Sequence, residues 1–123
     1  MKVLVIEDDP THLKLMGAVL KISGHTVEEQ TVAEGAMDVI AADKPDVILL
    51  DLRLPGMDGL ALVRKIKANA GTRQIPVVAM TAYPELYQRE ALLAAGCEAF
   101  IVKPIDTREL PKKLEKIAGK EPR

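Results

Sequence analysis

The sequence predicts an α/β domain built on a doubly wound, five-stranded parallel sheet, strand order 2-1-3-4-5, with five helices over its two faces. Three observations carry this. Short, wholly apolar runs such as Val47-Ile48-Leu49-Leu50 suit strands buried on both sides. Apolar stripes at helical spacing lie between those runs, and the strand–helix unit repeats five times, which calls for right-handed crossovers. The runs end in polar or charged residues, and open parallel sheets hold their ligands at the C-terminal ends of strands.

Lys2 to Ile6 reads as the first buried strand, and it ends in Glu7, Asp8 and Asp9. Pro10 favours the first position of a helix, which makes Asp9 the natural N-cap. Leu13, Met16, Gly17 and Leu20 then share one helical face, and Gly24 serves as the C-cap. Thr26 to Glu29 is a polar strand suited to a sheet edge. Thr31 and Glu34 have capping-box spacing and open a second helix with the stripe Ala33, Ala36, Met37 and Ile40.

The third strand runs from Asp46 to Asp51. Pro55-Gly56 breaks the chain, and Asp58-Gly59 opens a helix with Leu60, Val63 and Ile66 inward. Pro76 to Met80 is the fourth strand, ending at Thr81. A fourth helix starts near Pro84 and stops before Gly96. Ala99 to Val102 is the fifth strand, ending at Lys103-Pro104. Asp106 caps a last helix carrying Leu110, Leu114 and Ile117, whose start Pro111 makes irregular or delayed, because proline lacks a backbone donor.

The 123 residues suit one domain, residues 1–118, with a short frayed tail over 119–123 and no output domain after the last helix. The formal net charge of −1 argues against bulk binding of nucleic acid or a membrane. The aromatic residues are Tyr83, Tyr87 and Phe100, too few for a base-stacking platform. A lone cysteine, Cys97, excludes an intramolecular disulfide and suits a reducing compartment; its plain reading is a small buried hydrophobe. With no signal peptide or membrane span in view, a cytoplasmic location is expected.

In the order 2-1-3-4-5, strands one and three are neighbours at the switch point. Glu7, Asp8 and Asp51 then share a pocket, flanked by Thr81 and Lys103 from the ends of strands four and five. Three carboxylates that close repel, and either a proton or a cation must relieve them. Oxygen-only ligands favour a hard ion, Mg²⁺ above all. A carboxylate is also a nucleophile toward phosphorus. Around a phosphoryl group, Mg²⁺, the Lys103 ammonium and the Thr81 hydroxyl could each take one oxygen.

The segments VLVIEDDP, DVILLDLRLPGMDG, PVVAMTA and AFIVKPID resemble the four signature segments of the response-regulator receiver domain, from Lys2 to about Ile117. The resemblance implies a flavodoxin-like fold and a cytoplasmic two-component signalling protein, rather than a metabolic enzyme. Asp51 matches the phosphoacceptor. Asp8, Asp51 and the Arg53 main-chain carbonyl match the Mg²⁺ ligands, with Glu7 acting through a metal-bound water at a position often held by Asp. Thr81 and Lys103 match the residues that contact the phosphoryl group. Thr81 and Phe100 match the switch pair, although Phe100 cannot hydrogen-bond as the Tyr of many members can. A cis bond before Pro104 is common in the family. The implied partners are a sensor histidine kinase or a histidine phosphotransfer protein upstream and an unknown protein downstream. The signal would leave through the face formed by helix four, strand five and helix five. Slow self-dephosphorylation is expected, because Arg53 and Tyr83 are bulky at positions that flank the path of water.

The rival readings are weaker. A Mg²⁺-dependent aspartyl-phosphate phosphohydrolase usually has a second acid two residues after its nucleophile, where this chain has Arg53. A flavin carrier needs a phosphate cradle after strand one, where this chain has acids. A degenerate receiver used only for docking would not need the complete pocket. His12 reads as an exposed first-turn residue, His25 as a loop residue, Met57 and Met80 as loop and core packing, and the lysines at 112, 113 and 116 as a solvated helix face.

Overall fold

The computed structural model describes residues 1–54 and 56–119; Pro55 and residues 120–123, most of the expected frayed tail, lie outside the described residues. The chain runs β1 (Lys2–Ile6), α1 (Pro10–Ile22), β2 (Thr26–Gln30), α2 (Ala36–Asp43) and β3 (Val47–Asp51). A small ribbon of β4 (Arg53–Leu54) and β5 (Met57–Asp58) follows, then α3 (Gly59–Ala68), β6 (Val77–Thr81), α4 (Arg89–Ala95), β7 (Ala99–Val102) and α5 (Leu110–Ala118). The parallel sheet has the order β2-β1-β3-β6-β7. With the separate antiparallel ribbon set aside, that is the expected 2-1-3-4-5.

Alternation along each strand sorts its side chains between two cores. Leu4, Ile6, Ile48, Leu50, Val77 and Ala79 pack with α2, α3 and α4. Val3, Val5, Val47, Leu49, Val78 and Met80 pack with α1 and α5. Each buried Val, Leu, Ile or Met among them contributes about 1.5–3 kcal/mol. The polar β2 lies at the sheet edge, as expected. The pairing sets Ile6 beside Leu50, Asp51 beside Met80 and Thr81 beside Val102, so four strands end nearly level.

Two caps hold the loops at that edge. Asp9 Oδ1 accepts from the Thr11 and His12 amides at 2.9 and 3.4 Å, opening α1. Asp58 Oδ1 accepts from the Leu60 amide at 3.0 Å, opening α3. At Gly59 a Cβ would lie 2.5 Å from Leu52 Cα, so only glycine lets α3 start this close to the loop after β3.

Four local expectations need correction. The Thr31–Glu34 box does not open α2: Gly35 has φ +80, a left-handed conformation that a helix cannot run through, and α2 begins after it. Ala33 is buried as expected, but from the turn before the helix. The fourth helix is broken. Pro84–Leu86 forms one 3₁₀ turn, Tyr87 and Gln88 are extended, and α4 starts at Arg89. Asp106 caps a turn through the Arg108 amide at 3.0 Å rather than capping α5. The delayed start is real, with Pro111 in the first turn of α5, where its missing amide costs little. Finally, α1 ends at Ile22 with Ser23 as its cap, and Gly24 takes the left-handed position just beyond.

Cys97 is buried, and burial pushes its thiol up to about 11, with the charge of Glu98 adding to the effect. His25 is more than a loop residue. Its Nε2 lies 3.0 Å from Glu115 Oε2 on α5, and its Nδ1 lies 3.1 Å from the Met1 amine. Nothing local marks this pairing, because the partners are 90 residues apart.

Candidate functional site

The level strand ends bring five polar side chains together. Glu7 follows β1, Asp51 ends β3, Thr81 ends β6 and Lys103 follows β7; Asp8 is one residue beyond Glu7. Glu7 and Thr81 are fully buried and Asp51 nearly so, whereas Asp8 is exposed. One carboxylate oxygen from each of Glu7, Asp8 and Asp51 lies within 4.8 Å of the others. A cavity of about 280 Å³ opens over them, lined also by Asp9, His12, Arg53, Ala82, Tyr83 and Lys103.

Lys103 neutralises this cluster. Its Nζ donates to Glu7 Oε1 at 2.5 Å and to Asp51 Oδ2 at 2.9 Å. The peptide bond from Lys103 to Pro104 is cis. The other Asp51 oxygen, Oδ1, accepts from the Arg53 amide at 2.9 Å. Burial works against ionisation of Asp51, but its closeness to Glu7 and the hydrogen bonds from Lys103 and the Arg53 amide outweigh it and hold its pKa below the usual range. Glu7 goes the other way. Burial, then its contact with Asp51, pushes its carboxyl up to about 7 despite Lys103. The two acids therefore share a proton and a cation, with the negative charge mainly on Asp51. Burial works against the Lys103 charge, but Glu7 and Asp51 outweigh it and raise its pKa.

Thr81 does not line the cavity; its Oγ1 accepts from the Tyr83 amide at 3.0 Å. Phe100 is half-buried on β7, in register with Ala79, two residues before Thr81. Two features escaped the sequence reading. His12 lines the cavity, with Nδ1 3.5 Å from Glu7 Oε1 and 3.6 Å from Asp9 Oδ2. Its spacing from the cap Asp9, three residues on a helix, could have signalled this. The second is a cation–π contact: the Arg53 guanidinium carbon lies 4.7 Å from the centre of the Tyr83 ring. No local pattern signals it, since Arg53 lies in the ribbon after β3 and Tyr83 in the loop after β6.

The sequence profile described as the response regulator receiver domain matches residues 3–115. This chain belongs to that family. The receiver is 33% identical over 115 residues to the polar-differentiation response regulator DivK of Brucella anthropi, covering 94% of this chain and 91% of that protein. It is 39% identical over 107 residues to the response regulator PleD of Caulobacter vibrioides, covering 85% of this chain but only 23% of PleD. Among solved structures, a response regulator from Chloroflexus aurantiacus superimposes with a TM-score of 0.89 at 27% identity, over 96% of this chain and 97% of that one. The receiver domain of the sensor histidine kinase PA1611 from Pseudomonas aeruginosa, with magnesium coordinated in its active-site cleft, gives a TM-score of 0.87 at 31% identity, again over 96% and 97% of the two chains. The all-oxygen donor set of Glu7, Asp8 and Asp51 fits the same hard ion. No helix among the described residues is long and apolar enough to cross a membrane.

Proposed function

We propose that this receiver accepts a phosphoryl group from a phosphohistidine onto Asp51 and signals by changing its binding surface. The observation that carries the reading is the Lys103 ammonium bridging Glu7 and Asp51 over a cluster of acids at adjoining strand ends. Asp51 is the most readily ionised of the buried pair and therefore the nucleophile. One of its carboxylate oxygens attacks phosphorus in line with the departing nitrogen. The O–P bond forms as the P–N bond breaks, and the electron pair of that bond stays on the imidazole. The imidazole leaves neutral when its second nitrogen carries a proton.

Asp8, Asp51 and the Arg53 carbonyl would hold Mg²⁺, with Glu7 reached through water. Bound there, the ion supplies neutralisation of charge on the phosphoryl oxygens. Lys103 turns from the carboxylates to one phosphoryl oxygen, and Thr81 is drawn toward another. Phe100 fills the space that Thr81 leaves, and the face formed by the Pro84–Leu86 turn, α4, β7 and α5 is remodelled, including the exposed Glu85, Arg89, Glu90, Lys112 and Lys116. The upstream partner is a sensor histidine kinase or a histidine phosphotransfer protein in the cytoplasm, and the downstream partner is a protein. Arg53 stands where a phosphohydrolase of this chemistry has an acid, so self-dephosphorylation is the only hydrolysis expected.

The test is labelling by a phosphodonor with Mg²⁺ present. Wild type should form an acid-stable, alkali-labile phosphoprotein, and Asp51→Asn should not. Equal labelling of the variant would overturn the assignment.

A further inference from the structure

Arg53 sits at the mouth of an acidic cavity and spends its charge on none of the acids. Glu7, Asp8, Asp9 and Asp51 line that cavity with it, yet among the described residues the ion pairs of these acids go to Lys103, and the other close contact is with the His12 ring. Most of the neighbouring carboxylates have other work. Asp51 takes Lys103 and the Arg53 amide, Glu7 takes Lys103, Asp9 caps α1, and Asp58, paired with Arg53 across the ribbon, caps α3. What holds the guanidinium is the face of Tyr83, 4.7 Å away. An aromatic face attracts a cation through its quadrupole and uses none of its N–H donors. The Tyr83 main chain is anchored, because its amide donates to the buried Thr81 hydroxyl. The result is a positioned, charged and exposed fork of donors beside Asp51.

A phosphoryl dianion approaching Asp51 must pass the other carboxylates. Lys103 is already engaged with two of them and lies deeper. We infer that Arg53 is the anion-recognising residue of this site. Its guanidinium binds oxygens of the incoming phosphoryl group at the mouth, in the two-pronged geometry that planar guanidinium favours, before transfer to Asp51. Tyr83 is its positioning residue. The inference rests on the phosphoacceptor reading and adds a determinant of donor capture to it.

The experiment uses phosphoramidate, a small P–N donor with no protein surface, at saturating Mg²⁺. Second-order labelling rates are measured against ionic strength for wild type, Arg53→Gln, Arg53→Lys and Tyr83→Leu, with Mg²⁺ affinity titrated in each. Arg53→Gln should label about tenfold more slowly and lose part of the salt dependence, since a steering charge is gone. Arg53→Lys should fall between, keeping the charge but not the fork. Tyr83→Leu should lose about two- to fivefold while retaining the salt dependence, because only the positioning is lost. Mg²⁺ affinity should hold in all four, since the side chains do not ligate the ion. Arg53→Gln labelling at the wild-type rate with the same salt dependence would overturn this inference alone. A wild-type chain that takes no label at all would overturn the phosphoacceptor reading and this inference with it.

Discussion

Lys103 and Glu7, 96 residues apart in the chain, are joined by a hydrogen bond in the floor of the acidic cavity. Lys103 also holds Asp51, so one ammonium serves two carboxylates, and burial pushes the Glu7 carboxyl up to about 7.

That arrangement has a pH signature in the metal-free protein. Glu7 titrates at about 7 in the folded chain against 4.5 as its ordinary value. The folded state therefore binds the extra proton between those values, and stability falls as pH rises through that window. The contribution is fully present below about 4.5 and lost above about 7, on the order of 2–3 kcal/mol. Asp51, shifted down, acts only in the acid range and leaves this window clear. Urea unfolding in chelator at pH 5 and pH 8 should show wild type losing stability relative to Glu7→Gln. Parallel pH profiles would refute the assignment.

Mg²⁺ binding should be weak, on the order of millimolar, because few protein ligands replace the ion's waters. Binding should release protons near pH 6–7 as Glu7 ionises. Calorimetry in buffers of different ionisation enthalpy measures that release. Asp8→Asn should weaken binding by about tenfold or more. A heat signal independent of buffer, or phosphotransfer that survives full chelation, contradicts this.

The phosphorylated form should be long-lived. The Arg53–Tyr83 stack lines the same cavity as Asp51, where it would shield one approach of water. Following acyl phosphate after donor removal, Arg53→Ala and Tyr83→Ala should each decay severalfold faster. Decay at the wild-type rate in both counts against shielding.

His25→Ala should destabilise the fold by about 1–3 kcal/mol, because it strands the buried Glu115 carboxylate without its partner. His25→Ala combined with Glu115→Leu should recover much of the loss. Chemical denaturation of the cycle checks this, and a single variant as stable as wild type would show the pair to be dispensable.

Thr81→Ala should accept phosphate yet transmit poorly. In wild type, beryllofluoride with Mg²⁺ should shift amide resonances across residues 82–112, with the Phe100 ring changing environment. Shifts confined to the loops around Asp51 would place the signalling face elsewhere.

Much of this was legible in the chain itself. Apolar runs such as Val47–Leu50 specify doubly buried strands, and the alternation of runs and helical stripes leaves few ways to wind a parallel sheet. Asp9 and Asp58 marked their helix starts because capping is a local hydrogen bond between a side chain and the next turn. The acids and the lysine could be assigned to one edge of the sheet because each ends or follows a strand, and parallel strands all end on the same side.

Tertiary structure decided the rest. The Thr31–Glu34 spacing is a valid local signal, but the chain turns through Gly35 and Ala33 enters the core, so burial overrode it. The 3₁₀ turn and extended Tyr87 replaced the start of a continuous fourth helix, with Tyr87 packed against the core. The proton on Glu7, the stack of Arg53 on Tyr83 and the pairing of His25 with Glu115 all join groups distant in sequence. Their energies depend on burial and on the separation of charges in space, which no local pattern of residues encodes.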